Sequence, residues 1–226
     1  MLDTLEKKVD PRHTAVLVID MQNEFIEKNG LRGREGDDLS AARQLLPRLK
    51  VFLEKVRTAG VQIIYIQAVY NSDNDQYISE VWREQDRRRR KSGRPEDQCR
   101  EGTWNAEIHA DLVPQKGDMV VQKRRYCAFE GTGLDLVLRS KGIQTVVMTG
   151  MATDICVEST ARSAFVKDYY VVLNSDCTTT YSAQAHDNTL RLMHRFYGEV
   201  ASTEEILACW RHAAARDNPA PVAQQR

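Results

Sequence analysis

An α/β fold built on a parallel sheet is predicted by three observations. Short β-branched apolar runs recur along the chain, they lack polar alternation, and leucines and alanines between them recur at helical spacing. Continuous apolar runs suit strands buried on both faces, and strand–helix alternation is the pattern of a sheet covered by helices. With 226 residues and 42 % hydrophobic content the chain can bury one substantial core, so a single domain over 1–215 is expected.

The runs come in order as TAVLVIDMQ (14–22), VQIIYIQAV (61–69), DMVVQK (118–123), IQTVVMTG (143–150) and YYVVLNSD (169–176). Between the first two, Leu45, Leu46, Leu49, Phe52, Leu53 and Val56 form one apolar helical face. Leu134, Val137 and Leu138 predict a second helix, and Ile155, Ala161, Ala164 and Phe165 a third. Ser202 and Glu205 form a capping box that opens a last helix, after which 216–226 has too few large apolar residues to pack and is expected to be disordered. The pattern lapses at about 71–102, an insertion containing RRRRK (87–91) and SGRPED. It reads as a solvated charged helix with some loop, or as a lid or oligomer contact.

Equal numbers of acidic and basic residues remove the electrostatic case for nucleic acid or an anionic membrane as partner, leaving a small molecule or a second copy of the chain. No apolar signal-peptide core or membrane-length run is present, so a cytoplasmic location is expected. The five cysteines, Cys99, Cys127, Cys156, Cys177 and Cys209, are odd in number and form no C-x-x-C pair, which favours free thiols.

Ligands of parallel α/β sheets collect beyond the carboxyl ends of strands, so the residues where apolar runs stop deserve chemical scrutiny. Asp20 ends the first run, Lys123 the third, and Cys156 follows the fourth. Thr153 and Asp154 are good N-cap types and would put the thiol in the first turn of a helix, where the dipole lowers a cysteine pKa. Each has a plainer reading: Asp20 as a loop cap, Lys123 as part of a basic patch with Arg124 and Arg125, Cys156 as a buried structural thiol. Together they supply a nucleophile, a base and a cation.

AVLVIDMQNEF, QKRRYCAFEGTGLDLVLRSKGI and VVMTGMATDICVESTARSAF, in this order, resemble the isochorismatase-like cysteine hydrolase superfamily over roughly residues 12–212. The resemblance implies a three-layer α/β/α domain with an open, mainly parallel sheet of about six strands. It also implies a catalytic triad of Asp20, Lys123 and Cys156, a cis peptide between Met151 and Ala152, and an oxyanion hole from the backbone N–H groups of Ala152 and Cys156. The reaction implied is hydrolysis of a C–N bond in a linear amide through a thioester, without a cofactor. Homo-oligomers, dimer or tetramer, are common in the family.

Nicotinamidases of this superfamily keep an Asp-x-His pair and another histidine near the second strand, where this chain reads IQAVYNSDNDQ. His13, His109, His186, His194 and His212 lack ligand spacing, so no metal is expected. GTWNAEI, KRRYCAF and TGMATDICVESTARSAF look most like the ureide-cleaving branch that acts on ureidoacrylate, N-carbamoylsarcosine, biuret and triuret. Arg124, Cys127 and the stretch Gln67–Tyr70 depart from the ureidoacrylate pattern, which shifts the expectation toward a biuret- or triuret-like ureide. Phe25, Trp104, Tyr126 and Phe129 are expected to rim a pocket for a small planar molecule, with Gln67 reading its amide groups. The rival class is a non-enzymatic thiol sensor or a silent binding module, which would not require both Lys123 and Asp20.

Overall fold

The computed structural model describes residues 2–89 and 98–217. Six strands form one parallel sheet: β1 (Thr14–Ile19), β2 (Gln62–Ala68), β3 (Met119–Lys123), β4 (Thr145–Met151), β5 (Tyr170–Thr179) and β6 (Glu199–Ala201), in the order β3-β2-β1-β4-β5-β6. Five of them carry the five apolar runs. β6 is a three-residue edge strand paired only through Val172–Asn174, too short to announce itself by periodicity. β3 is the other edge, and its residues alternate in exposure, with Val120 on the solvent side. The expectation of burial on both faces therefore fails there, because an edge strand has only one neighbour to shield it.

Among the described residues, nine α-helical segments accompany the sheet: α1 (Leu5–Lys8), α2 (Asn23–Ile26), α3 (Leu31–Arg34), α4 (Ser40–Thr58), α5 (Glu80–Arg89), α6 (Leu134–Ser140), α7 (Glu158–Val166), α8 (Ala183–Phe196) and α9 (Thr203–Asp217). Alternate residues of the central strands serve opposite layers. Val16, Val18, Ile63, Tyr65 and Val147 join the α4 and α9 side, whereas Leu17, Ile19, Ile64, Ile66 and Met148 join the α6, α7 and α8 side. All six apolar positions read from α4 are buried, as its period of 3.6 requires. On α7, Ala161 and Ala164 are buried but Phe165 is exposed, so that end of the stripe turns outward.

The capping box forms reciprocally, with Ser202 N donating to Glu205 Oε2 (2.7 Å) and Glu205 N donating to Ser202 Oγ (3.3 Å). It starts α9, whose Trp210 stacks on Phe52 of α4 (5.8 Å between ring centroids) and donates to the Val9 carbonyl (2.7 Å). α9 runs to Asp217, so the first two residues of the segment expected to be disordered are helical, and the rest, from 218 onward, lies outside the described residues. Within the insertion, α5 is the charged helix; 90–97, holding the end of RRRRK and SGRPED, also lies outside them. Among the described residues no helix is long and apolar enough to cross a membrane.

The order places β1 at the centre, with the chain stepping outward to β2 and β3 and then returning to β4 on its other side. The crevice of such a sheet opens where the order reverses, between the carboxyl ends of β1 and β4. Asp20 leaves β1 there, and Cys156 follows β4.

Candidate active site

Asp20 is the first residue after β1. Its backbone N–H still donates to the Ile66 carbonyl (2.9 Å), and its φ of 52° turns the chain away from the sheet. Gln22 then locks the exit: its side chain accepts from Ala68 N (2.7 Å) and donates to the carbonyls of Ala68 and Ala106 (2.8 Å each). These bonds tie the ends of β1 and β2 to the segment around residue 106. Lys123 ends β3 in register with Ala68 and is fully buried.

β1 and β4 approach closely at Gly150, whose φ is +97° and where a Cβ would lie 2.1 Å from the Ile19 carbonyl oxygen. Gly150→Ala is expected to cost more than about 3 kcal/mol or prevent folding, since neither the backbone conformation nor the ladder can yield. Its thermal midpoint checks this, and a value near that of the unmodified protein would contradict it. The next peptide, Met151–Ala152, is cis. Thr153–Val157 then form a π-helical turn that runs into α7 and carries Cys156.

Thr153 and Asp154 do not cap this helix, which has no side-chain cap. They sit inside the wide turn, where Thr153 Oγ1 meets His186 Nδ1 (2.9 Å) and Asp154 accepts from Thr180 (2.6 Å). Thr160 holds the Cys156 turn to the neighbouring loop, donating to the Cys156 carbonyl (2.7 Å) and accepting from Ala128 N (3.0 Å).

The three strand-end residues meet. Lys123 Nζ lies 2.9 Å from Asp20 Oδ2 and donates to Cys156 Sγ at 3.3 Å and to the Arg125 carbonyl at 3.2 Å. The Tyr70 hydroxyl stands 3.8 Å from the same sulfur, with its ring 5.4 Å from Lys123 Nζ. All four side chains are buried, which decides their protonation. Burial pushes the Asp20 carboxyl up against the pull of Lys123, and burial together with Asp20 pushes the Cys156 thiol up to about 12. Burial alone would lower Lys123, but Asp20 and Cys156 outweigh it and hold the ammonium charged. Tyr70 is kept a neutral phenol by burial and by its neighbours Cys156 and Asp20. The low thiol pKa expected from a helix terminus is therefore corrected, because desolvation and an adjacent carboxylate outweigh the dipole.

A cleft of about 390 Å³, its open mouth included, reaches Asp20 and Cys156. Phe25 and Tyr126 line it. Gln67, Trp104 and Phe129 do not. The Gln67 amide donates to the Ala106 carbonyl (2.8 Å) and accepts from Gln122 (3.2 Å), spending its groups on the β2–β3 edge. Trp104 is largely exposed and contributes its carbonyl to Asn23 (2.9 Å), so GTWNAEI braces the DMQN segment. Phe129 stacks on Tyr169 (6.0 Å) within the α6–α8 layer.

Met151 and Ala152, named in the sequence reading for the cis peptide, also line the cleft, and the remaining walls come from residues that reading did not nominate: Arg32, Tyr70, Gln98, Ile155 and Tyr181. Arg124 and Arg125 are half-buried docking groups for the insertion. Arg124 donates to the Val69 carbonyl (2.6 Å) and lies over Tyr77, while Arg125 donates to the Tyr77 carbonyl (3.2 Å) and lies over Trp82. Trp82 of α5 in turn packs on Tyr126 (4.8 Å) and Tyr70 (5.4 Å), so the insertion borders the cleft.

Among the described residues, no three His, Cys, Asp or Glu side chains gather where they could hold a metal ion. His109 is engaged with Glu27 (3.0 Å), and His186 with Thr153.

A family model described as an isochorismatase domain matches residues 14–205. The chain is 35 % identical over 218 residues to the ureidoacrylate amidohydrolase RutB of Caulobacter segnis, covering 92 % of this chain and 90 % of that protein. A solved cysteine hydrolase from Pseudomonas syringae pv. phaseolicola 1448A superposes with a TM-score of 0.79 at 25 % identity, covering 90 % of this chain and 94 % of that one. The N-carbamoylsarcosine amidase of Thermoplasma acidophilum superposes with a TM-score of 0.66 at 28 % identity, covering 85 % and 97 %.

Proposed function

The chain belongs to the isochorismatase family and is an amidohydrolase, acting on carbon–nitrogen bonds outside peptides; from that premise we propose that Cys156 is its nucleophile and ureidoacrylate its substrate. The observation that carries the mechanism is the buried contact of Lys123 with both Asp20 and Cys156 at the floor of the cleft. The substrate reading is supported by RutB relatives aligned over nine-tenths of the chain, and for that reason ureidoacrylate takes precedence over the biuret- or triuret-like ureide expected from sequence departures.

In the resting site the thiol is protonated, Asp20 is the base within reach of it, and Lys123 carries a proton. When the ureido carbonyl settles over Cys156, Asp20 takes the thiol proton and Sγ attacks the carbonyl carbon. The carbonyl electrons move to oxygen, which accepts hydrogen bonds from the backbone N–H groups of Ala152 and Cys156. Lys123 balances the negative charge as it moves between Asp20 and sulfur. Collapse of the tetrahedral intermediate breaks the C–N bond, with the Asp20 proton going to the leaving nitrogen. Water, deprotonated by the same carboxylate, then attacks the thioester and releases Cys156, whose proton returns.

One observation favours a neutral linear ureide as second reading: the two cations that the described residues place at the cleft and beneath it are already ion-paired, Lys123 with Asp20 and Arg32 with Asp37 and Glu35. Turnover of a panel containing ureidoacrylate, N-carbamoylsarcosine, biuret, triuret and nicotinamide, read as ammonia or amine release, tests both. Ureidoacrylate is expected to show the highest kcat/KM. Preference for biuret or triuret would install the second reading, and peroxide reactivity with no turnover would favour a thiol sensor.

A further inference from the structure

The cleft wall brings together two chemically different sets of groups. Cys156 and Asp20 are the groups proposed to react, while Arg32 and Tyr181 contribute to the wall from other parts of the chain. Arg32 is the single cationic side chain among the described residues lining the cleft, since Lys123 lies beneath it, fully buried against Asp20.

Its position is built rather than incidental. Arg32 belongs to the short turn α3, which is pressed onto α2: a Cβ at Gly30 would lie 2.5 Å from the carbonyl oxygens of Asn23 and Glu24. Asp37 Oδ2 lies 2.8 Å from Arg32 Nε and Glu35 Oε2 lies 3.5 Å from Nη1. The guanidinium carbon sits 4.7 Å from the centroid of the Tyr181 ring. A long, rotamer-rich side chain thereby enters the cleft with much of its ordering already in place, which is what preorganised recognition needs. A guanidinium presents five N–H groups in a planar fork suited to a carboxylate, and two ion pairs engage only part of that fork.

We infer that Arg32 is a specificity residue that receives the carboxylate of an anionic ureide while the ureido carbonyl lies over Cys156. This deepens the ureide reading above and rests on it. Asp37 and Glu35 orient the fork but also weaken its attraction for a second anion. Removing one acidic partner should therefore strengthen anion binding, whereas removing the cation should weaken it. A merely structural role for Arg32 would not produce those opposite signs.

The test measures binding by titration calorimetry in the Cys156→Ala protein, so that no turnover is required, using ureidoacrylate and its uncharged primary amide. Adding Arg32→Gln is expected to weaken ureidoacrylate about 10- to 100-fold and leave the amide within about 2-fold, in the range of a partly compensated charge contact. Adding Asp37→Asn instead is expected to tighten ureidoacrylate about 3- to 10-fold with no change for the amide. Equal loss for both ligands, or no loss for either, overturns the inference while ureidoacrylate turnover by the unmodified enzyme leaves the substrate reading standing. If ureidoacrylate neither binds nor turns over although a neutral ureide does, the substrate reading and the inference fall together. Thermal midpoints of both variants accompany the titrations, and the Asp37→Asn result decides alone if Arg32→Gln does not fold.

Discussion

Cys156→Ala is expected to lower kcat by at least about 10⁴-fold, because the proposed covalent route disappears and neither Asp20 nor Lys123 replaces a nucleophile. Substrate binding should survive, since the substitution removes one sulfur from the cleft floor and leaves its walls intact. The same residue sets a pH signature in the unmodified enzyme. Burial and Asp20 push the thiol up to about 12, so alkylation of free enzyme by iodoacetamide should be slow at neutral pH and still rising above pH 9. A plateau below pH 8 would show a preformed thiolate and remove the need for Asp20 as base.

The sign for stability follows from the same shift. The unfolded chain loses the thiol proton from about the ordinary thiol value of 9.0, while the folded chain holds it to about 12. The contribution of Cys156 to folding is thus fully present below pH 9 and is lost as pH rises through that window.

Lys123→Met should lower stability and abolish activity together. The substitution fills similar volume at a fully buried position but leaves the Asp20 carboxyl without its cation. Breaking one side of a buried pair costs about 3 to 5 kcal/mol at neutral pH, and activity should be lost with it. Asp20 already has its pKa raised by burial, and loss of Lys123 raises it further. A carboxyl with a raised folded pKa is destabilising above that pKa, and the deficit disappears as the pH falls toward the unfolded value of 3.8. The deficit of Lys123→Met relative to the unmodified protein should therefore shrink between pH 7 and pH 4.5 in denaturant titrations. Combining it with Asp20→Asn should recover most of the lost stability and none of the activity, because the uncompensated charge is gone and the base is gone too. A single variant costing under about 1 kcal/mol at pH 7 would mean that water or another group solvates Asp20, contrary to its burial.

These two variants test residues that sequence alone brought forward. Asp20, Lys123 and Cys156 were legible because each stands where an apolar run stops or just beyond it, and in a parallel sheet those ends share one edge. α4 was legible because six apolar side chains repeat at its period, and the start of α9 because its cap is local. Such features depend on neighbours within a few positions along the chain.

What lies across the cleft depended on distant neighbours. Arg32, Gln98 and Tyr181 come from three separate connections, and nothing in their local spacing shows that they converge. Gln67, Trp104 and Phe129 had suitable chemistry and sat near the right motifs, but hydrogen bonds to Ala106 and Asn23 and a stack on Tyr169 engage them elsewhere. Protonation followed the same division. The helix start beside Cys156 could be read locally, but the desolvation that overrides it exists only once β3, β2, β1 and β4 are assembled into one sheet. Periodicity and strand ends determine the scaffold and the chemical centre of this protein. Strand order and burial decide which loops face that centre and which charges survive there, because both are properties of contacts between segments far apart in the chain.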